Sequence, residues 1–164
     1  SFCTSSRFFS VICTSSSRTA AVAFGAEDFT NDMGIERRVD EAEVAYARSA
    51  VAVAARAADV LALDTPFFGF RDPEGLRQSS ERSKGYGYQG RFAIHPSQIE
   101  IIIETYAPSE AEVENALRVV AAFEEAERQG HGATSLDGQV IDVPVVRRAQ
   151  KLLEAAGRSS PASS

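Results

Sequence analysis

Residues 41–66 read EAEVAYARSAVAVAARAADVLALDTP and combine a helical pattern with a strand pattern that follows it directly. Small apolar residues recur every three to four positions in the first part, which predicts a helix over residues 41–58 with a closely packing face. These residues are Val44, Ala47, Val51, Ala54 and Ala58. The apolar run at residues 60–63 then predicts a buried strand ending at Asp64. This order is typical of a β/α unit in a parallel sheet.

Two further strands are predicted on either side of this unit. An apolar run at residues 21–24 ends in the polar segment 25–28, and another run covers residues 91–94. Between the second and third strands, Asp72 precedes a proline, a pattern that predicts an N-cap and a helix reaching about Ser83. The predicted fold class is therefore α/β, with three parallel strands and helices on one side.

The C-terminal third has a helical pattern. A short helix is predicted at residues 98–106, and Ser109 with Glu112 forms a capping-box pattern. The helix that it starts is expected to end at Gln129, before a glycine-rich stretch. A final helix is predicted at residues 143–156. The last β/α unit is thus followed by a helical extension.

These patterns divide the chain into a leader at 1–20, three β/α units at 21–106, and C-terminal helices with a mobile tail at 107–164. The first 18 residues contain no acidic side chain and show no lasting helical or strand period. That composition is typical of a transit peptide, and a wrongly assigned upstream exon is the alternative. The expected location is cytoplasmic, or mitochondrial if the leader is genuine.

The charge balance excludes several classes of protein. Lys and Arg number 17 against 23 Asp and Glu, for a net charge of -6. Because phosphate contacts need clustered positive charge, neither a nucleic acid nor an anionic membrane is an expected partner. No apolar run approaches the roughly 20 residues of a membrane-spanning helix. Cys3 and Cys13 lie together near the start and fit neither a disulfide framework nor a zinc site.

Residues 85–90 read GYGYQG and match the glycine pattern of dinucleotide-binding loops. Such a loop must follow a strand and open a helix, so that the pyrophosphate meets the helix N-terminus. Here the segment follows a predicted helix and precedes a predicted strand. We therefore interpret it as a turn between a helix and a strand.

Two acidic residues follow the first predicted strand. Either Glu27 or Asp28 could bind Mg²⁺, because hard cations take carboxylate oxygens together with water and substrate oxygens. A helix cap is an equally good interpretation of the spacing. From the residues alone, both alternatives stay open.

Polar residues also follow the other two strands. Asp64 precedes a Thr-Pro pair that fixes the backbone, and taken alone it is interpreted as a capping or turn residue. His95 is held extended by the proline after it, and no Ser or Cys nucleophile lies beside it in the sequence. A structural hydrogen-bonding role is therefore the simpler interpretation of His95.

Five segments occur along the chain in a fixed order. They are GAED at 25–28, ALDTP at 62–66, FRDPEGL at 70–76, AIHPSQ at 93–98 and SLDGQVID at 135–142. As an ordered set they resemble the citrate lyase beta subunit family, part of the larger HpcH/HpaI aldolase group. The resemblance runs from about residue 21 to residue 156.

This resemblance implies a (β/α)₈ barrel that cleaves β-hydroxyacyl-CoA thioesters, such as citryl-, malyl- or citramalyl-CoA, into a 2-oxo acid and acetyl-CoA. It makes Asp28 one of two carboxylates that bind Mg²⁺. It makes Asp142 a tail carboxylate that reaches a neighbouring subunit in a homo-oligomer and exchanges a proton with the acetyl-CoA methyl group. Residues that would line the barrel mouth and the CoA pocket are Asp64, Thr65, Pro66, His95 and Pro96.

The resemblance matches the last three of eight barrel strands. The family's metal-binding glutamate, one unit before Asp28, and its substrate-binding arginine have no counterpart here, so we expect a fragment without a complete active site. One alternative is an HpaI-like class II aldolase acting on free hydroxy-oxo acids. Another is a non-catalytic half-barrel that binds a full-length subunit through its exposed strand edges.

Overall fold

The computed structural model describes residues 19–158, so most of the predicted leader and the last six residues lie outside the described part. The chain forms two compact units, one up to Tyr106 and one from Ala107 onward. Within residues 19–158, no helix is long and apolar enough to cross a membrane.

The first unit is built on a parallel sheet with the strand order β1-β2-β3. The strands are β1 (Ala21–Ala23), β2 (Leu61–Asp64) and β3 (Gly90–Arg91). The helices are α1 (Ala26–Met33), α2 (Ala45–Ala57), α3 (Pro73–Tyr86) and α4 (Ile99–Tyr106), with 3₁₀ turns at Ala42–Val44 and Pro96–Gln98. The α/β class and the parallel pairing are as predicted.

Helix α2 packs on β2 through its small residues. Val51, Ala55 and Ala62 are all buried in one apolar cluster, together with Phe24 and Tyr88. Small side chains let the helix approach the strand closely. Of the predicted packing face, Val44, Ala47 and Val51 are buried, whereas Ala54 and Ala58 are only partly buried. The helix also differs from the prediction in starting with a 3₁₀ turn and in burying Ala52 and Ala55.

Three details of this unit differ from the sequence prediction. Residues 26–33 form α1, a short helix for which the sequence offers only the possible cap at Glu27 or Asp28; the N-cap is Gly25, and both acidic residues lie in the first turn. Strand β3 spans Gly90–Arg91 and not 91–94, since pairing with β2 ends at Arg91. Helix α3 continues to Tyr86, and the predicted turn begins only at Gly87, whose φ of 100° favours glycine.

The second unit pairs two helices over a hairpin. It consists of α5 (Glu110–Arg128), β4 (Thr134–Leu136), β5 (Gln139–Ile141) and α6 (Val143–Ala155). The capping box is confirmed: the Ser109 hydroxyl accepts from the Glu112 N–H at 3.2 Å, and the Ser109 N–H donates to the Glu112 carboxylate at 2.8 Å. Buried residues of this core are Val120, Phe123, Ile141, Val146 and Leu153.

The glycine-rich stretch after α5 contains a hairpin that the sequence analysis does not predict. Strands β4 and β5 are antiparallel and pair Leu136 with Gln139. The two residues between them, Asp137 and Gly138, have φ angles of 50° and 79°. An Asp-Gly pair of this kind is the usual two-residue hairpin turn.

Candidate functional site

The carboxyl ends of the three parallel strands lie along one edge of the sheet. Beyond the strands, the Phe24 N–H donates to the Leu63 carbonyl at 3.0 Å, and the Phe92 N–H donates to the Asp64 carbonyl at 3.3 Å. Parallel sheets bind ligands beyond this edge, because the loops that follow the strands converge there. The segments after β1, β2 and β3 carry the residues predicted from the sequence.

Asp28 lies in the first turn of α1 and is exposed. Among residues 19–158, no group hydrogen-bonds or ion-pairs with its carboxylate. Glu27, beside it, accepts from Arg37 Nε at 2.9 Å. Of the two carboxylates that the sequence left as alternatives, Asp28 is therefore the one available to a cation.

Gly25 leaves space for the Asp28 side chain. A Cβ atom on Gly25 would lie 3.3 Å from Asp28 Oδ2, tighter than most contacts of that kind. The backbone of Gly25, with φ -101°, is open to other residues. A larger residue at position 25 would therefore be disfavoured by contact with the Asp28 carboxylate and not by the backbone conformation.

The donor set for a metal ion is partial. Within the described range, no group of three or more His, Cys, Asp or Glu side chains could hold a metal ion. Mg²⁺ commonly binds one or two protein carboxylates and completes its shell with water and substrate oxygens. Asp28 fits as one such ligand.

Asp64 points into the helix layer. It shares a face of β2 with Ala62, which packs in the α2 core, whereas Leu61 on the other face is half exposed. Its buried carboxylate accepts from Arg48 Nε at 3.2 Å and Arg48 Nη2 at 2.5 Å, and Arg91 Nη2 lies 3.3 Å away. Asp64 therefore links β2 to α2 through its ion pair with Arg48. The predicted place of Asp64 in the lining of the CoA pocket stays a prediction.

Glu41 extends this ion network toward α3. Its carboxylate accepts from Arg48 Nη1 at 2.8 Å, from Arg82 Nη2 at 3.0 Å and from the Ser79 hydroxyl at 3.0 Å. Glu41 also adopts a left-handed backbone with φ 56°, which is strained for a residue with a Cβ. Buried charges persist only when they are paired and hydrogen-bonded, and this network meets both conditions.

Arg91 is buried and uses every guanidinium nitrogen. Nε and Nη2 donate to the Thr65 carbonyl at 3.2 and 3.0 Å, and Nη1 donates to the hydroxyls of Ser79 and Ser80 at 3.1 and 2.9 Å. The planar fork thereby holds the end of β2 against α3.

Thr65 connects the end of β2 to the start of α1. The Thr65 hydroxyl accepts from the Ala26 N–H at 3.3 Å, and both residues are buried. Pro66, which follows, is partly exposed. The second and first strand ends are joined by this hydrogen bond.

His95 is exposed, and its ring lies on the ring of Phe70, with centroids 5.4 Å apart. Its Nδ1 accepts from the Ser97 N–H at 3.2 Å, which caps the 3₁₀ turn that starts at Pro96. A groove of about 190 Å³ adjoins this stack and is lined partly by Phe70, Arg71 and Ser97. His95 thus has the structural hydrogen bond that its sequence context indicates.

Asp142 lies in the second unit, whereas Asp28 lies in the first. It is the N-cap of α6, where Oδ1 accepts from the Val145 N–H at 3.2 Å, and it is exposed. Asp137, in the hairpin turn, pairs with Arg118 at 2.5 Å.

The network shifts the acid–base behaviour of its members. Burial raises the pKa of Glu41. The charge of Arg48 and the hydrogen bonds from Arg48, Arg82 and Ser79 outweigh burial, so this pKa lies below its usual value. Burial lowers the pKa of Arg91, and the Asp64 charge opposes this. Burial and the Asp64 charge raise the pKa of Tyr88, whose hydroxyl donates to the Arg48 carbonyl at 3.0 Å.

Sequence reasoning missed Glu41, Arg48 and Arg91. One signal was present: Arg48 lies between Val44 and Val51 on the buried side of the predicted helix, where an arginine requires an acidic partner. No comparable signal exists for Arg91, because its partners depend on the pairing of β2 with β3.

The sequence matches the family described as HpcH/HpaI aldolase/citrate lyase over residues 9–96. It is 42% identical over 145 residues to the citrate lyase subunit beta of Leuconostoc mesenteroides subsp. cremoris, covering 88% of this chain and 48% of that protein. It is 35% identical over 136 residues to a mitochondrial citramalyl-CoA lyase of Mus musculus, covering 83% of this chain and 40% of that protein.

A solved structure with a similar fold is the CitE protein of Mycobacterium tuberculosis in complex with magnesium, acetoacetate and coenzyme A. The TM-score is 0.71 at 35% identity, over 83% of this chain and 51% of that chain. This chain therefore spans about half the length of the relatives that it matches.

Replacing Arg48 by methionine should destabilise the protein by about 3–5 kcal/mol, because the buried carboxylates of Glu41 and Asp64 would each lose an ion-pair partner. The matched control is Arg38→Met, since Arg38 makes a similar two-point pair with Asp40, at 2.9 and 2.8 Å, on the surface. Exposed pairs contribute little, so the control should change stability far less. Urea unfolding followed by circular dichroism measures both, and equal losses would contradict the assignment.

Replacing Glu41 by glutamine should reduce stability at neutral pH more than in acid. Because folding lowers the pKa of Glu41, its charged form stabilises the native state above its unfolded pKa of about 4.3. That contribution is lost as the pH falls through the lower folded pKa. Urea unfolding between pH 7 and pH 3 should show the wild-type and Glu41→Gln curves converging in acid. A difference in unfolding free energy between the two proteins that stays constant with pH would rule out this role. The control is Glu114→Gln, on the exposed side of α5.

Proposed function

The chain belongs to the HpcH/HpaI aldolase/citrate lyase family, and on that premise we propose that the protein is a Mg²⁺-dependent carbon-carbon lyase. Its substrate is a β-hydroxyacyl-CoA thioester of the citryl-, malyl- or citramalyl-CoA type, and its products are a 2-oxo acid and acetyl-CoA. The observation that carries the proposal is the carboxylate of Asp28, which lies just after β1 and has no partner among residues 19–158, beside a glutamate that is already paired.

We also infer that the sheet is part of a (β/α)₈ barrel. Its three strands are parallel and adjacent in chain order, as consecutive barrel strands are. The chain spans about half of its relatives, and the proposed activity is that of a protein with a whole barrel. The remaining strands would supply the second metal-binding carboxylate and the arginine that binds the substrate.

Asp28 would hold the cation. Mg²⁺ bound there would supply positive charge that stabilises the alkoxide form of the substrate hydroxyl, the oxygen that becomes the carbonyl oxygen of the 2-oxo acid. Glu27 stays paired with Arg37 and does not compete for the cation. The role of the described part of the chain is therefore to present the Asp28 carboxylate to the cation from the first turn of α1.

Asp142 would exchange a proton with the methyl group of acetyl-CoA, in the active site of a neighbouring subunit. The methyl proton is weakly acidic, so a positioned base is needed. As the N-cap of α6, Asp142 keeps one carboxylate oxygen on a backbone N–H, and the other oxygen is available to substrate. The cap thereby orients the carboxylate.

The CoA portion of the substrate would lie near the second and third strand ends. Pro66, His95 and Pro96 follow those strands at the ligand-binding edge of the sheet. Two similar proteins favour a CoA thioester over a free hydroxy-oxo acid as substrate. One is named a citramalyl-CoA lyase, and the other was solved in complex with coenzyme A. The aldolase alternative predicts cleavage of substrates that lack CoA.

Replacing Asp28 by asparagine in the complete natural polypeptide should weaken Mg²⁺ binding by at least tenfold, because a charged ligand is lost. It should also abolish the Mg²⁺-dependent release of acetyl-CoA. Glu27→Gln is the matched control from the same helical turn and should keep both properties. Titration calorimetry with Mg²⁺ in the presence of a 2-oxo acid measures the affinity. Loss of binding in Glu27→Gln but not in Asp28→Asn would reverse the assignment.

Replacing Asp142 by asparagine should lower the cleavage rate by roughly 10²–10⁴-fold, the usual contribution of a general acid or base. Stability should be retained, since asparagine is also a good N-cap. Asp137→Asn is the control, because asparagine tolerates the left-handed backbone at that position. A normal rate in Asp142→Asn would leave this residue with the capping role alone.

A further inference from the structure

We propose that Thr65 is a positioning residue for the cation ligand Asp28, and that Arg91 sets the position of Thr65. This inference rests on the proposed function, because it assumes that Asp28 binds Mg²⁺. It gives Thr65 a task other than lining a pocket, and it gives buried Arg91 a role in the site.

The N-terminus of helix α1 is capped by Thr65, which directly follows β2. The first N–H groups of a helix have no partner within it, and Gly25, the N-cap of α1, has no side chain to offer. The Ala26 N–H donates instead to the Thr65 hydroxyl, 39 residues along the chain. Ala26 is fully buried, so without this acceptor its N–H would have no compensating hydrogen bond from water.

Asp28 depends on this anchor, because it lies two residues after Ala26 in the same turn. Its Oδ2 is already close to Gly25, at 3.3 Å from the site of a Cβ atom. A small rotation of the first turn would move the carboxylate against the Gly25 backbone or away from the strand ends. Metal affinity is sensitive to such shifts, since Mg²⁺ demands near-ideal octahedral geometry.

Arg91 holds Thr65 in turn. Two of its nitrogens donate to the Thr65 carbonyl, and the third donates to the hydroxyls of Ser79 and Ser80 on α3. Asp64, the residue before Thr65, lies beside the same guanidinium. The backbone at Thr65 is thereby fixed from two sides, and only its hydroxyl is left to reach α1.

The test replaces Thr65 by valine, which removes the hydroxyl and keeps the branched shape. Thr65→Ser restores the acceptor. The matched control is Thr105→Val: Thr105 is also buried, and its hydroxyl donates to the Ile101 carbonyl at 2.7 Å within α4. Each variant is made in the complete natural polypeptide, and Mg²⁺ affinity is measured by calorimetry alongside thermal stability and amide exchange at Ala26.

We expect Thr65→Val to raise the Kd for Mg²⁺ roughly tenfold or more, as loss of partners that orient metal ligands does. Exchange of the Ala26 amide should accelerate in this variant. Thr65→Ser should stay close to the wild type, and Thr105→Val should keep its Kd even where its melting temperature falls. If Thr65→Val does not fold, Thr65→Ala gives the same comparison without the risk of overpacking.

Asp28→Asn separates the two possible failures. If it weakens Mg²⁺ binding while Thr65→Val or Thr65→Ala keeps the wild-type Kd, the positioning role is wrong and the proposed function stands. If Asp28→Asn leaves the Kd unchanged, both are overturned. A Kd that rises equally in Thr65→Val and Thr105→Val would mean that general loss of stability, and not positioning, is responsible.

Discussion

The buried carboxylate of Asp64, held between the guanidinium groups of Arg48 and Arg91, is the contact on which the strand ends depend. A charge removed from water is tolerated only with full pairing, so each of the three groups constrains the other two. Because they come from α2, β2 and β3, their pairing sets how the helix layer meets the sheet. The apolar cluster around Ala62 packs beside this network and includes Phe24 and Ala26, which follow β1.

Three acidic residues at or just after the strand ends differ in burial and in pairing, and this contrast supports the functional argument. Asp64 is buried and paired, Glu27 is half exposed and paired with Arg37, and Asp28 has no partner among residues 19–158. Paired carboxylates serve the fold, since their hydrogen-bonding capacity is already used. A carboxylate without such partners, just beyond the carboxyl end of a parallel strand, is available to a cation.

Local patterns allowed much of the fold to be predicted from the sequence. The helix over residues 41–58 and the Ser109 capping box depend on neighbours within one helix, and the structure has both, although the buried face of the first differs in part from the predicted one. The hairpin was missed although Asp137-Gly138 is a strong local turn signal. Helix α1 is too short for its periodicity to stand out.

The candidate site was predictable only in part, because its contacts are not local. Arg48 and Asp64 are 16 residues apart, and Arg91 reaches Thr65 across 26. These contacts depend on strand register and helix packing, which a single sequence does not specify. The family resemblance singled out Asp28 from the pair Glu27 and Asp28, and it alone pointed to Asp142. The structure adds what lies beside each of them: Gly25 beside the Asp28 carboxylate, and the first turn of α6 beside Asp142.

The most direct test of the account is a crystal structure of the complete natural polypeptide grown with Mn²⁺, whose anomalous scattering locates the cation, and a 2-oxo acid. We predict an anomalous peak about 2 Å from a carboxylate oxygen of Asp28, with the Thr65 hydroxyl still on the Ala26 N–H. A cation bound elsewhere, with the Asp28 carboxylate facing only solvent, would contradict the account.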